Sequence, residues 1–283
     1  MRIRLLWTLS VLVVVVPAFG GVVAPSLASA FSFGLLAGDI SNTGTSVVTG
    51  NVGATISITG FPPGTAVSGT VFTSPNGPST TVGQAYTDFV TAFDVANSNI
   101  STPVTQLPVS GLSGGHTFFG NNVYEFLGSD VSSVAGATLT FDANGDGTGI
   151  FIIKVTHDLQ INAPLTFLLT NGALSSNIYW IIGRDATISG ATPVLPVTWE
   201  GNILAGRNFT MSAGTGGSGP LAGTIHGCVY AESAATLAGT TDIGGCAGAT
   251  GSVPEPGPSG LVALGCLLGA LGLRKFRSVR QTP

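Results

Sequence analysis

Short segments that alternate apolar and small polar residues recur along the middle of this 283-residue chain. Five of them have similar character and lie near positions 138, 160, 187, 210 and 236. Glycine, asparagine, aspartate or proline separates almost every pair of segments, as expected for turns between strands. The repeat is irregular with a period in the twenties, which is typical of a β-solenoid coil made of three short strands and three corners. A β-sandwich also contains many short strands, so periodicity alone leaves both architectures open.

One segment departs from this pattern and predicts an α-helix over about 82–98. Its apolar residues recur every three or four positions and therefore form one stripe along a helix: Val82, Ala85, Tyr86, Phe89, Phe93 and Ala96. Prolines at 103 and 108 follow this segment and are expected to prevent the helix from continuing. A single helix of this length is marginal in water, so we expect it to pack against an apolar side of the strands.

The first thirty residues are predicted to be a secretory signal peptide. Arg2 and Arg4 supply the positive start, residues 5–19 are apolar, and Ala28-Ser29-Ala30 matches a small-residue cleavage site. Phe31 is then the expected first residue of a mature domain over 31–252, and the protein is expected to leave the cytoplasm. An uncleaved membrane anchor is the alternative interpretation.

Residues 253–283 combine a proline-rich break, an uncharged apolar stretch and a basic tail. As a helix, the stretch 258–273 would span roughly 24 Å, which is short of a ~30 Å bilayer core. With Pro254, Glu255 and Pro256 at the break, the segment resembles the PEP-CTERM sorting signals of Gram-negative bacteria. The resemblance implies transient anchoring in the inner membrane, a sorting transpeptidase as partner, and delivery to the cell surface or extracellular matrix. An ordinary C-terminal anchor is the alternative.

The charge of the mature domain excludes several kinds of partner. Residues 31–252 hold twelve acidic residues and three basic ones, Lys154, Arg184 and Arg207, which gives a net charge of −9. Such a surface repels phosphate backbones, so nucleic acid is not an expected partner. Three cations are also too few for a site that cleaves acidic polysaccharides, which must stabilise an anionic transition state.

No motif in the sequence indicates catalysis, a cofactor or a metal. The three histidines are far apart and belong to no zinc-binding or nucleophile motif. The stretch 142–147 resembles the start of an EF-hand loop, but Ile153 occupies the position of the bidentate glutamate. We therefore expect 142–147 to be a corner built on Asn-Gly and Asp-Gly turns, and we expect no enzyme activity.

The small polar strands predict a binding face. Alternate residues of a strand point to one side, and here the outward residues are Thr138, Thr140, Gln160, Asn162, Thr187, Ser189, Thr210, Ser212 and Thr236. Stacked at ~4.8 Å, with ~6.7 Å between alternate residues, they would form a rigid, flat array of hydroxyls and methyls that can hold ordered water. Threonine also faces outward on strands through propensity alone, and Gln160 interrupts the threonines.

Several stretches resemble the ice-binding-like β-solenoid family. They cover roughly 34–245 and include Gly53–Thr70 (GATISITGFPPGTAVSGT), Asn42-Thr43-Gly44 before Gly50–Gly53, Leu139–Ala143, Asn171–Ala173 with Asn177–Trp180, and Gly201–Ala205. The resemblance implies a mainly β protein: a right-handed triangular β-helix with one long α-helix packed alongside and coils that do not stack in sequence order. It also implies ice or ordered water as the ligand and inhibition of ice growth or recrystallisation as the function.

A competing hypothesis keeps the same scaffold without ice activity. The protein would then be a structural or adhesive component of the cell surface or biofilm matrix, with extracellular polysaccharide as a partner.

The sequence separation of Cys228 and Cys246 is close to the length of one coil, so the two residues fit adjacent coils. A disulfide suits an exported protein, and a pair of buried thiols fits the sequence equally well.

Overall fold

The computed structural model describes residues 22–72, 80–98, 104–107, 112, 115–126, 128, 130–191, 197–213 and 223–246. Within these ranges the chain forms twenty-one strands, the helix α1 (Thr81–Ser98) and two short 3-10 helices, Ala28–Ser32 and Ser175–Asn177. The strands are β1 (Phe33–Asn42), β2 (Val47–Thr49), β3 (Asn51–Thr59), β4 (Thr65–Val67), β5 (Val71–Phe72), β6 (Val104–Leu107), β7 (His116–Phe119), β8 (Asn122–Phe126), β9 (Val131–Ser132), β10 (Ala137–Asp142), β11 (Phe151–Val155), β12 (Leu159–Ile161), β13 (Leu165–Thr170), β14 (Ile178–Ile182), β15 (Ala186–Ala191), β16 (Val197–Glu200), β17 (Asn202–Ala205), β18 (Asn208–Ala213), β19 (Gly223–His226), β20 (Val229–Ala238) and β21 (Thr241–Ile243).

The strands pair in parallel and form three rows. The first row follows the order β6-β8-β11-β14-β17 and continues into the first halves of β20, β1 and β3. The second row follows β9-β12-β15-β18 and continues into the second halves of the same three strands. The third row consists of two separate sheets, β7-β10-β13 and β16-β19-β21-β2-β4, which meet where β13 contacts β16. The predictions of a mainly β protein with parallel coils and one helix are therefore confirmed.

The coils do not stack in sequence order. Strand β1, near the start of the chain, lies between β20 and β3, with Leu35 paired to Val229 on one side and to Val52 on the other. The N-terminal coils therefore lie beyond β20 in the stack, although they come first in the sequence. This order agrees with the expectation from the family resemblance.

Asparagine and glycine form two corners of neighbouring coils. Asn144 and Asn171 have φ of 57° and 50°, and the glycines that follow them, Gly145 and Gly172, have φ of 85° and 88°. Asparagine and glycine adopt this left-handed region at the lowest cost. The stretch 142–147 is therefore a corner between β10 and β11, as its turn chemistry predicts.

Inward side chains of all three rows form one apolar core. Large aromatic residues pack together in this core, with the ring centroids of Trp180 and Trp199 4.7 Å apart in a tilted arrangement and those of Phe167 and Trp199 5.1 Å apart edge to face. The indole N–H of Trp180 donates to the Glu200 carbonyl over 3.0 Å, which satisfies a polar group that would be costly to bury alone. Close aromatic packing of this kind holds successive coils at a fixed spacing.

Helix α1 covers the outer side of the first row. Its predicted stripe is buried there except for the half-buried Tyr86, and it meets an apolar patch composed of Leu36, Val123, Ile152, Tyr179, Ile181, Leu204 and Tyr230. The Phe89 and Tyr230 rings lie 5.3 Å apart. Gly206 permits the close approach, because a Cβ there would lie 2.7 Å from the Phe93 ring. One side of the solenoid is therefore occupied, and the outer sides of the second and third rows carry no helix among the described residues.

A buried cation attaches the end of this helix to the strands. The Lys154 ammonium lies 3.3 Å from a Glu125 carboxylate oxygen and donates to the Asn97 carbonyl over 2.7 Å. Asn97 is in the last turn of α1, where unpaired carbonyls favour a cation. Lys154 is only 7% exposed, so its charge depends on these two partners.

Replacement of this cation should destabilise the protein strongly. In Lys154→Met, Glu125 loses its partner while still largely buried, and the free energy of unfolding should fall by about 3 kcal/mol in urea titrations. Arg184→Met is the matched control, because Arg184 pairs with Asp158 at the surface and its loss should cost less than about 1 kcal/mol. Equal losses in the two variants would contradict the assigned role of Lys154.

Cys228 and Cys246 form a disulfide, with their Cα atoms 4.7 Å apart. Cys228 immediately precedes β20 and Cys246 follows β21, and both are buried. The bond therefore ties the last described turn of the chain to the strand on which the N-terminal coil stacks.

Removal of the disulfide should also lower stability. The double variant Cys228→Ala/Cys246→Ala opens a loop of 18 residues, for which chain entropy predicts a loss of about 3 kcal/mol. Thermal unfolding with and without a reducing agent checks this. The reductant should lower the Tm of the parent protein and leave that of the double variant unchanged; a shift in both would exclude the disulfide as the cause.

The predicted sorting signal over 253–283 and the leader up to residue 21 lie outside the described residues. Among the helices that the structure does describe, none has the length and hydropathy needed to cross a membrane.

Candidate functional site

The second row of strands brings seven uncharged polar side chains, all but one of them hydroxyl-bearing, into one line, which we call the hydroxyl row. The pairing register runs, strand by strand, through Ser132, Gln160, Thr187, Thr210, Thr236, Ser41 and Thr59. All seven are partly or largely exposed. Their neighbours along the middle strands are buried in the core, among them Ile161, Ile188, Met211 and Leu237. The alternation of each strand therefore sets the outward direction of the line.

A second, shorter line lies beside the hydroxyl row. Ser189 pairs with Ser212, and the Ser189 hydroxyl donates to the Asn162 side-chain oxygen over 3.2 Å. Each of these residues is two positions along its strand from a member of the hydroxyl row. The two lines together, named the hydroxyl face below, are spaced at ~4.8 Å between coils and ~6.7 Å along the strands.

Seven of the nine residues predicted for the binding face lie on the hydroxyl face, and two do not. Thr138 and Thr140 lie on β10 in the third row, where Thr138 pairs with Thr166 and Thr140 pairs with Thr117. The physical reason is the spacing. The stretch from Thr138 to Gln160 runs from one side of a coil to another, through β11, whereas each later interval of the repeat completes a coil. The expected single array is corrected accordingly.

Three members of the hydroxyl row were missed by the sequence analysis. Ser132 precedes Gln160 by the length of one coil, and an extension of the repeat toward the N-terminus would have found it. Ser41 and Thr59 precede all the other members in sequence but follow Thr236 in the stack. Only the non-sequential order of the coils places them there, and no spacing in the sequence encodes that order.

The outer side of the third row has a mixed composition. Threonines alternate there with exposed apolar side chains, and Phe119, Leu168 and Val67 are 45%, 48% and 46% exposed. The line that begins with Thr198 and Thr224 continues to the acid Asp242. It then reaches the apolar residue Val47. Among the described residues, the hydroxyl row is thus the longer uninterrupted line of uncharged hydrogen-bonding side chains.

Acidic residues border the hydroxyl face at the corner that precedes its strands. Arg207 forms a two-point ion pair with Asp185, with Nε donating over 3.0 Å, and Arg184 Nε lies 3.4 Å from Asp158. Partial burial alone would raise the pKa of Asp185. Hydrogen bonds from Arg207 and from the Asn208 backbone N–H outweigh that effect and lower the pKa. These charges are therefore held in pairs at the border, and the hydroxyl row itself contains no ionisable group.

This arrangement is suited to binding an ordered surface. The hydroxyl row offers donors, acceptors and threonine methyls, and it includes neither a general base nor a cationic group. Within the described ranges, no group of three or more His, Cys, Asp or Glu side chains is placed to hold a metal ion. The fixed strand register makes the row a preformed surface.

Parts of this chain are similar to two curated ice-binding proteins. Among curated proteins, Ice-binding protein 1 of Shewanella frigidimarina is 30% identical over 141 residues, which are 46% of this chain and 15% of that protein. An ice-binding protein of Leucosporidium sp. is 35% identical over 85 residues, which are 30% of each chain. This chain therefore spans less than a third of the length of either relative.

Solved structures match over a much larger share. An ice-binding protein from the Antarctic ascomycete Antarctomyces psychrotrophicus is 30% identical with a TM-score of 0.61, over 77% of this chain and 97% of that one. An ice-binding protein from an Antarctic biological consortium is 29% identical with a TM-score of 0.64, over 81% and 95%. The sequence model of the ice-binding-like family matches residues 35–242, which include every residue of the hydroxyl row. The chain belongs to the ice-binding-like family.

Proposed function

We propose that the protein binds ice through the hydroxyl face and thereby limits ice growth or recrystallisation. The single observation that carries the proposal is the register of the hydroxyl row, in which seven uncharged polar side chains occupy consecutive coils. The relatives named above, which are ice-binding proteins by name, support it.

Adsorption would arise from the sum of many weak contacts. Each hydroxyl can exchange its hydrogen bond to liquid water for one to a lattice water, with little net energy per contact. Because strand pairing already fixes the side chains, little conformational entropy is lost on binding, and the small gains add. The absence of charge on the hydroxyl row keeps strongly hydrated ions away from the contact. No chemical step takes part.

The three rows of strands support a more specific description of the fold. We assign them as the three sides of a right-handed triangular β-helix: α1 packs on the first side, the hydroxyl face forms the flat second side, and the third row closes the coil.

The two ends of the sequence support export as part of the same proposal. The basic start and apolar run of the leader direct the chain out of the cytoplasm. At the other end, Pro254-Glu255-Pro256, the apolar stretch and the basic tail serve as a PEP-CTERM signal in a Gram-negative bacterium. The segment anchors the protein in the inner membrane until a transpeptidase passes it to the surface or matrix. Ice outside the cell would then be within reach of the hydroxyl face.

Bulky substitutions in the centre of the hydroxyl row should weaken ice activity strongly without unfolding the protein. Thr187→Tyr and Thr210→Tyr lift the surface off a flat lattice, so ice recrystallisation inhibition should need at least about tenfold more protein, a loss of about 1.4 kcal/mol. The matched control is Thr198→Tyr, on an exposed threonine of the third row. Circular dichroism confirms that each variant remains folded.

Three outcomes decide between the candidate functions. Loss of activity in Thr187→Tyr and Thr210→Tyr alone supports the hydroxyl face. Loss in Thr198→Tyr alone would transfer the binding surface to the third row. A folded parent protein that shows no ice activity would favour the alternative of a structural or adhesive matrix protein, and binding to extracellular polysaccharide becomes the next measurement.

The N-terminal coils should contribute to the same surface. Ser41→Tyr projects a ring from the part of the hydroxyl row contributed by β1, so thermal hysteresis should fall clearly below that of the parent protein. Thr65→Tyr is the control, since Thr65 is an exposed residue of β4 in the third row. Equal thermal hysteresis in the two variants would exclude β1 from the ice-contacting surface.

A further inference from the structure

The residues at the expected leader cleavage site are packed into the folded domain. Leu27 is 5% exposed and Ala30 is completely buried, and both belong to the apolar cluster beneath α1. The short helix Ala28–Ser32 that contains the site leads directly into β1 and contacts α1. These residues are therefore part of the interior of the domain.

Polar contacts hold the same residues in place. The Ala30 carbonyl accepts a 2.7 Å hydrogen bond from the hydroxyl of Tyr230, a side chain with no exposed surface. The Ser29 backbone N–H donates to the Asp88 carboxylate of α1 over 3.0 Å, and the Ser29 hydroxyl donates to the same carboxylate. The hydroxyl contact is the main cause of a lowered pKa at Asp88. The segment thus connects the first strand to the covering helix.

Hydrolysis at the Ala30–Phe31 bond would remove all of these contacts. The Leu27 and Ala30 side chains would leave the apolar cluster, and Asp88 would lose both bonds from Ser29. The Tyr230 hydroxyl would keep only the Phe33 carbonyl and the Cys246 sulfur as near partners. A leader is removed as the chain crosses the membrane, so the domain can use only residues that the peptidase leaves attached.

We propose that the export leader ends at Gly20, so that a membrane-bound signal peptidase cuts the Gly20–Gly21 bond and leaves Leu27–Ala30 in the mature protein. Hydrolysis consumes one water molecule and yields the Gly20 carboxylate and the Gly21 ammonium. Ala18 and Gly20 provide the small residues required three positions and one position before the cut.

The sequence before this bond has the proportions of a leader. The apolar run from Leu5 to Val16 has twelve residues, within the usual range of roughly 7–15, and Pro17 ends it just before the cut. The inference is independent of the proposed ice activity.

Two charged substitutions distinguish the candidate bonds. Gly20→Arg places a large cation immediately before the Gly20–Gly21 bond, where a small residue is needed. Ala28→Arg places the same cation three positions before the Ala30–Phe31 bond. Ala28 is exposed in the folded domain, so its replacement leaves the interior unchanged. Each full-length chain is produced in a bacterium that exports it, and mass spectrometry identifies the first residue of the exported protein.

The expected result is that the parent protein and Ala28→Arg both begin at Gly21, while Gly20→Arg retains the leader. A parent protein that begins at Phe31, or an Ala28→Arg variant that retains the leader, would overturn the proposal. A first residue at any other position would overturn the assignment of the Gly20–Gly21 bond. None of these outcomes depends on ice activity, so this proposal and the proposed function can fail separately.

Discussion

Parallel backbone pairing between successive coils is the constraint on which the other features of this protein depend. It fixes the distance between coils, and it aligns residue with residue, as in the pairing of Thr187 with Thr210 and of Ile188 with Met211. A slip of one residue would bury the hydroxyls and expose the isoleucine, because side chains alternate along a strand. The apolar core therefore selects the register, and the register arranges the polar face.

The outer sides of the first and second rows of strands have separate roles for physical reasons. The side formed by the first row is apolar, and α1 covers it. Lys154 attaches one end of α1 to the strands, because it pairs with Glu125 and donates to the Asn97 carbonyl of the helix. Two acids that border the hydroxyl face are paired at a corner, Asp185 with Arg207 and Asp158 with Arg184. A third acid, Asp39, accepts a hydrogen bond from the Ser57 hydroxyl. The hydroxyl row can then remain uncharged although the mature domain has a large acidic excess. Ion pairing at the corner thus protects the chemistry of the face.

Much of the fold, but less of the site, could be predicted from the sequence. The stripe from Val82 to Ala96 located the helix, because burial on one side demands a helical period. The coil spacing located Thr187, Thr210 and Thr236 correctly relative to one another. It misplaced Thr138, because outward threonines occur on two sides of a coil and a one-dimensional spacing does not distinguish them. A small-residue motif at Ala30 looks the same in a sequence whether the residue is discarded or buried, and only its packing separates the two cases.

The place of the N-terminal coils has a consequence for binding. Without the pairing of β1 with β20, the hydroxyl row would end at Thr236. The placement of β1 and β3 beyond β20 extends it from five coils to seven, while the disulfide and the buried Tyr230 hydroxyl secure the junction between the two ends of the chain. Because adsorption to a lattice sums weak contacts, the affinity rises exponentially with each added coil. The pairing of β1 with β20 therefore lengthens the face that we propose binds ice, and the contacts at this junction contribute to that proposed function through rigidity.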